Sequence, residues 1–171
     1  MMIEKYAAGL LMLLVACQAN AAKEDIVVNV HPSGVTTIAS KLGSSDIRVT
    51  MRTHEVEINE ASREKPRSDQ ANCTFSRQPC IIVDTLNISA GGRDLFIPRS
   101  LFADLSDPTR AVLAQDGKGM NLTIYGGDAS ESFVLRVSFD ASRIKQRILS
   151  SAFSPDKPLQ ETTYYERVMG D

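Results

Sequence analysis

Hydrophobic and polar residues alternate in short stretches along most of the chain. The longest such stretch is 133–139, where Phe133, Leu135, Val137 and Phe139 fall on one face of a strand. Similar stretches recur roughly every 8–12 residues and are separated by Gly- and Pro-containing turns. The pattern predicts a single all-β domain, either an antiparallel β-sandwich or a squat barrel of about eight to ten strands.

One stretch changes phase in the middle. Apolar residues occupy odd positions in 47–52, whereas Val56 and Ile58 continue the pattern on even positions. Because a shift of one residue moves every side chain to the opposite face of a strand, we expect a β-bulge near His54 and Glu55, or a tight turn there, to absorb the change.

Only one short helix is predicted, near residues 100–105. Ser100 can cap a helical turn, and Asp107-Pro108 can close it. This turn would carry three apolar residues, Leu101, Phe102 and Leu105.

The strand 133–139 is predicted to pair with residues 143–151 through a two-residue turn, Ala141-Ser142. This register sets Phe139 opposite Ile144 and Leu135 opposite Ile148, so that both apolar pairs are buried together.

The same register predicts a basic face on this hairpin, with Arg136 opposite Arg147 and Ser138 opposite Lys145. Its members are Arg136, Arg143, Lys145 and Arg147. Like charges directly opposite each other destabilise a sheet, so we interpret the face as a site for an acidic partner or an anionic ligand. The alternative is that these side chains are solvated and paired with Glu161 or Glu166 of the last strand.

The N-terminal residues have the pattern of a secretory signal. The apolar run 7–16 follows Lys5 and is shorter than the ~20 residues that a membrane-spanning helix needs. The sequence LVAC at 14–17 resembles a bacterial lipobox, whose cysteine becomes the lipidated first residue, and ANA at 19–21 matches an ordinary cleavage site. We therefore predict a signal peptide over 1–21, with Cys17 as a lipidation candidate, and one domain over 22–171.

Export determines how the other cysteines are interpreted. With Cys17 lipidated or removed, Cys73 and Cys80 remain as a pair in an oxidising compartment, where disulfides persist. Their spacing does not match zinc motifs. We predict a Cys73–Cys80 disulfide, which would contribute about 2–3 kcal/mol to stability, and no metal site.

The longest polar stretch, residues 61–78, contains Pro66 and few apolar residues. We predict an irregular loop that the disulfide ties at its far end. Long loops without regular structure are often functional, so its basic residues Arg63, Lys65 and Arg67 are candidates for partner contacts. A merely solvated loop is the alternative.

Composition and motifs exclude several classes of function. The chain is 43% hydrophobic and 23% charged, as is usual for globular proteins. Its net charge of -2 gives no basis for nucleic-acid binding. There is no G-x-S-x-G elbow and no Gly-rich phosphate loop, and neither His31 nor His54 lies in a recognisable nucleophile motif. We expect no enzymatic activity and no cofactor.

These observations favour a non-enzymatic exported protein of the cell envelope, periplasmic or anchored as a lipoprotein, that binds a protein partner. Small exported β-domains with disulfides include inhibitors and immunity-type proteins that block a hydrolase, although a fold alone does not define a function. Two alternatives stay open. One is a structural lipoprotein subunit of an envelope complex, and the other is a small-ligand carrier, which would need a barrel with an open cavity. A lipid on Cys17 would be the only tie to the membrane.

The mature N-terminus tests the lipidation prediction. We expect the mature chain to begin at an acylated Cys17, because all four lipobox positions match and Lys5 lies a short distance before them. Intact mass spectrometry of protein purified from the native host checks this. An unmodified chain that begins at Ala22 would contradict it.

Overall fold

The computed structural model describes residues 25–58, 73 and 78–165. These residues form ten β-strands and two 3₁₀ helices. The strands are β1 (Ile26–Asn29), β2 (Gly34–Leu42), β3 (Ser45–Val56), β4 (Cys80–Ala90), β5 (Arg93–Asp94), β6 (Pro108–Asp116), β7 (Gly119–Gly126), β8 (Phe133–Phe139), β9 (Ile144–Ser151) and β10 (Pro158–Thr163). The 3₁₀ helices span Arg99–Leu101 and Ala129–Glu131.

Two antiparallel sheets make up the fold. A six-stranded sheet has the order β1-β6-β7-β8-β9-β10, and a four-stranded sheet has the order β2-β3-β4-β5. The prediction of an all-β protein is confirmed, and of the two predicted architectures the structure is the sandwich, not the barrel. In the described part of the chain, no helix is long and apolar enough to cross a membrane.

Alternate residues along the strands of both sheets form the core between them. Leu122 and Ile124 of β7 are completely buried, as are Leu135 and Val137 of β8, and Ile88 of β4 faces them from the smaller sheet. Fully burying one such aliphatic side chain contributes about 1.5–3 kcal/mol. The period-2 pattern of the sequence is therefore the pattern of residues that face the opposite sheet.

The phase change after 47–52 has a cause other than a bulge in β3. An irregularity does lie next to the predicted position, because Arg52 pairs with Thr85 and Thr53 pairs with Val83. The additional residue is therefore Asp84 of β4, and β3 itself continues without interruption.

The even-numbered apolar residues face a second, smaller cluster. Ile58 and Val56 pack there with Cys80, Ile82 and Cys73. Because β3 runs on in one phase, this cluster lies on the outer face of the four-stranded sheet. The predicted Cys73–Cys80 disulfide is present in this cluster. The bond therefore packs against an apolar patch on the outer face of the sheet.

The β8–β9 hairpin has a register that differs from the predicted one after its first pair. Phe139 lies opposite Ile144 as predicted, but the next pair is Ser138 with Gln146. Lys145 is therefore the additional residue of a bulge. From there on every partner moves by one residue: Leu135 pairs with Leu149, Arg136 with Ile148 and Val137 with Arg147. The predicted opposition of Arg136 and Arg147 is wrong.

Residues 95–107 cross from the small sheet to the large one. Leu101, Phe102 and Leu105 are buried in the core, but the helical part is only Arg99–Leu101, and the residue before it is Pro98, so Ser100 is not its cap. Asp107 ends the crossing in a left-handed conformation, with φ of 51°. Its N–H donates to Ile81 O (2.7 Å), and its Oδ1 accepts the N–H of Ile81 (2.8 Å). This pair of bonds attaches the crossing to β4.

Arg147 makes the second attachment of the crossing. Its side chain is only 1% exposed. Nη2 bonds both carboxylate oxygens of Asp104 at 2.6 Å, Nε donates to Leu101 O at 3.1 Å, and Nη1 donates to Gln160 Oε1 at 2.6 Å. Burying a guanidinium costs several kcal/mol unless acceptors compensate for the lost water, and the planar fork of arginine suits a carboxylate. The bulge at Lys145 shifts the register by one residue, and this shift turns Arg147 towards its acceptors.

Replacing Arg147 tests this arrangement. We expect Arg147→Ala to lower the free energy of unfolding by about 2–3 kcal/mol, because the buried Leu101 O and the Gln160 side chain lose their donor and Asp104, which is 40% exposed, loses its ion-pair partner. Arg147→Lys should recover only part of the loss, since one ammonium nitrogen cannot replace three guanidinium nitrogens that bond three different residues. Urea denaturation measures the change.

Arg136→Ala is the matched control on the same hairpin. Arg136 makes one hydrogen bond, from Nη1 to Pro155 O (3.0 Å), so its loss should cost about 1 kcal/mol or less. If Arg147→Ala costs no more than Arg136→Ala, Arg147 is not buried as described.

Candidate binding cleft

An open cleft lies at one end of the sandwich. It is bounded by the β8–β9 turn, by the end of β10 and by the chain that follows β5. Its volume is about 710 Å³, and its walls include Phe96, Pro98, Arg143, Ile144, Tyr164 and Tyr165. This volume falls within the usual range of ligand sites, about 300–1,000 Å³.

Two aromatic side chains of the cleft are almost fully exposed. Phe96 is 85% exposed and Tyr165 is 86% exposed. Phe96 follows Leu95, which is buried, so strand-like alternation turns the Phe96 ring outward. Aromatic and arginine side chains are enriched among the residues that dominate protein–protein binding energies. Two such rings beside Arg143 therefore have the composition of a recognition surface.

Arg143 supplies the positive charge of the cleft. Its side chain is half-buried, and Nη1 donates to Tyr164 O at 3.0 Å. The N–H of Tyr164 in turn donates to Lys145 O at 2.8 Å. These bonds hold the end of β10 against the β8–β9 turn. A carbonyl does not neutralise a guanidinium, and no carboxylate of the described residues forms an ion pair with Arg143, so the cleft wall keeps a positive charge.

Asp140 organises the turn that carries Arg143. Its Oδ1 accepts the N–H of Ser142 (2.8 Å), the hydroxyl of Ser142 (2.6 Å) and the N–H of Arg143 (3.1 Å), and Oδ2 lies 2.9 Å from Lys145 Nζ. Burial of the carboxyl raises its pKa, but the hydrogen bonds from Ser142, Lys145 and Arg143 together hold the pKa of Asp140 well below its usual range. Asp140 is therefore an ionised carboxylate at neutral pH, and in this form it positions Arg143.

Arg147 is not part of the predicted basic face, because its side chain is buried. Arg147 points into the protein, Arg136 bonds Pro155 O, Lys145 pairs with Asp140, and only Arg143 reaches the cleft. Glu161 accepts a hydrogen bond from Gln146 (2.6 Å) instead of pairing with this group. The loop candidates Arg63, Lys65 and Arg67, together with Cys17, Glu166 and the signal sequence, lie outside the described residues.

Two exposed arginines were missed by the sequence interpretation. Arg48 and Arg52 lie on the outer face of β3, where no carboxylate of the described chain pairs with them. Lys41 on β2 contacts Asp46 at 3.5 Å. The alternation in 47–52 already indicated that the two arginines are exposed, because its polar residues occupy even positions and should therefore face away from the core. Phe96 was missed as well, although its place between Leu95 and Ile97 already indicated an outward ring.

One histidine lies beside a carboxylate on the four-stranded sheet. His54 Nδ1 lies 2.8 Å from Asp84 Oδ1, the bulge residue of β4. Among the residues that the structure describes, no serine, threonine or cysteine side chain hydrogen-bonds to His54. No group of three or more His, Cys, Asp or Glu side chains within this part of the chain has the geometry of a metal site.

Comparison of the chain with protein-family models, with curated proteins and with solved structures yields no match. The fold and the site define an antiparallel β-sandwich with an open aromatic cleft at one end.

The pH dependence of stability tests the role of Asp140. Its pKa in the folded protein is below the ordinary value of 3.8, so its stabilising effect is fully present above about pH 4 and is lost as the pH falls further. We expect Asp140→Asn to lower the free energy of unfolding by about 1 kcal/mol at neutral pH. The difference from wild type should shrink below about pH 3.5. Denaturation curves over this range measure it, and a difference that grows on acidification would contradict the assignment.

Proposed function

We propose that the protein is a non-enzymatic exported protein that binds a protein partner through the cleft at the end of the sandwich. One observation carries the proposal: Phe96 and Tyr165, which both line the concave site, expose 85% and 86% of their surface. Exposing two aromatic rings together is unfavourable in water, and such patches mark interaction sites in soluble proteins. The predicted signal sequence supplies the expectation of export.

The charge of the cleft indicates the chemistry of the partner. Across residues 140–145, the cations Arg143 and Lys145 outnumber the single anion Asp140, and within the described residues the Arg143 guanidinium donates only to the carbonyl of Tyr164. An acidic group of the partner would therefore gain a charge-assisted hydrogen bond with Arg143. We infer a contact in which a large apolar side chain enters between Phe96 and Tyr165 and a carboxylate approaches Arg143. A hydrolase that presents an acidic, apolar rim would satisfy this chemistry.

Replacing Phe96 tests the proposal directly. Tagged wild-type protein and Phe96→Ser are used to capture proteins from envelope extracts of the native host, and bound proteins are identified by mass spectrometry. We expect a partner that wild type retains and that Phe96→Ser loses by about tenfold or more in affinity, equivalent to about 1.4 kcal/mol. Phe96 is exposed, so its replacement should not affect folding.

Phe153→Ser is the matched control for this experiment. Phe153 is also highly exposed, at 74%, but it follows the opposite end of β9 from the cleft. The partner should bind Phe153→Ser within about threefold of wild type. Equal losses for the two variants, or a captured protein that neither variant loses, would reject the cleft as the binding site.

The cleft volume also supports a second candidate, a carrier of a small amphipathic anion. Such a ligand would place its acidic group on Arg143 and its apolar part between the aromatic rings. The sandwich lacks the barrel cavity that we expected of a carrier, so this function ranks second. A stoichiometric small molecule that leaves Phe96→Ser but stays with Phe153→Ser in native mass spectrometry would favour it.

A further inference from the structure

The strand that ends in the cleft has an open backbone edge. β10 is the last strand of the six-stranded sheet, and of the described strands it pairs with β9 alone. Five of its six residues are exposed, including Leu159 at 71%. Among the described residues, no backbone group bonds to the outward side of β10.

Strand alternation identifies the outward groups. The N–H of Tyr164 donates to Lys145 O on β9. In an antiparallel pair, residues alternate between bonding the partner strand and pointing away from it. The backbone N–H and C=O groups of Thr163 and Glu161 therefore point away from β9. They form a short ladder to which no other described residue bonds and which leads into the cleft at Tyr164 and Tyr165.

The other edges of the two sheets are less suited to strand addition. β5 has two residues and β1 has four. β2 is longer, but its Lys41, which contacts Asp46, is the kind of charged residue that natural proteins place on edges to prevent pairing. β10 contains no lysine or arginine, and its one charged side chain, Glu161, accepts a hydrogen bond from Gln146 of β9. Pro158 and the irregularity beside it lie at the end far from the cleft.

We propose that the partner presents an extended segment that adds to the outward edge of β10 as a further strand. This inference rests on the proposed function and specifies its mode of binding. Main-chain hydrogen bonds to Glu161 and Thr163 provide the pairing, as in other cases of strand addition. A large apolar side chain of the added strand enters the cleft between Phe96 and Tyr165. A carboxylate near it complements Arg143, whose charge no described carboxylate pairs. The recognised chemistry is thus a β-strand with an apolar residue and a neighbouring acidic residue.

A defined peptide set tests the mode of binding. The probes are acetylated octapeptides of alternating Thr and Val, into which one Phe and one Asp are placed at every combination of positions. We expect a subset of the set to bind wild type, with Lys in place of Asp weakening binding about tenfold or more. Two N-methylated versions of the best binder, one for each set of alternate amides, then test the backbone pairing. Methylating the amides that bond β10 should abolish binding, and methylating those that point away from β10 should change it little.

Variants of Glu161 provide the matched comparison on the protein. Glu161→Pro removes an outward N–H without removing a bond to β9, so the best peptide should bind at least about tenfold more weakly. Glu161→Ala loses the contact with Gln146 but keeps the N–H, and it should bind within about threefold of wild type. A thermal melt verifies that each variant is folded. If Glu161→Pro is unfolded, the N-methylated peptides alone decide.

The failures of the two proposals are distinguishable. Peptides that lose affinity for Phe96→Ser but ignore N-methylation and Glu161→Pro would overturn strand addition and leave the proposed function standing. Peptides that respond to Glu161→Pro but not to Phe96→Ser would support the edge and reject the cleft. No binding by any member would overturn strand addition, as would a dimer of wild type that Glu161→Pro dissociates, because the edge would then pair with a second copy.

Discussion

The buried guanidinium of Arg147 connects three parts of the chain that would otherwise meet only through apolar packing. It bonds Asp104 and Leu101 of the crossing between the sheets and Gln160 of the last strand, while its own strand lies between them. A desolvated cation requires all of these acceptors at once, because losing any one leaves part of its charge uncompensated. The Arg147 side chain therefore links the position of the crossing to the position of β10.

The same requirement determines the geometry of the cleft. Arg147 can face inward only because Lys145 is the additional residue of a bulge, and this bulge follows directly on the turn that Asp140 organises. This turn also carries Arg143, which bonds Tyr164 at the end of β10. A polar contact inside the protein and the exposed cleft are thus neighbouring consequences of a single bulge. The lysine that marks this bulge pairs with Asp140.

Much of the cleft could not be predicted from the sequence. The predicted basic face used the simplest hairpin register, in which Phe139 and Ile144 continue into further apolar pairs. That register satisfies the apolar residues but leaves Asp104, Leu101 O and Gln160 without their common donor, and these groups are 13 to 46 residues away in sequence. Local patterns contain no information on such distant acceptors. The outward ring of Phe96 was visible in the alternation, but its meaning depends on Tyr165 and Arg143 lying beside it.

The sequence by itself determined the class of fold, the strand at 133–139 with its pairing to the strand that follows, and the Cys73–Cys80 bond. These features follow from period-2 alternation, turn residues and cysteine pairing, all of which act over short distances. Only the tertiary structure decided that the two sheets form a sandwich, that Val56 and Ile58 face an outer cluster, and which arginines are buried. Those outcomes depend on which distant groups satisfy a buried charge or cover an apolar face, and a residue's sequence neighbours do not specify them.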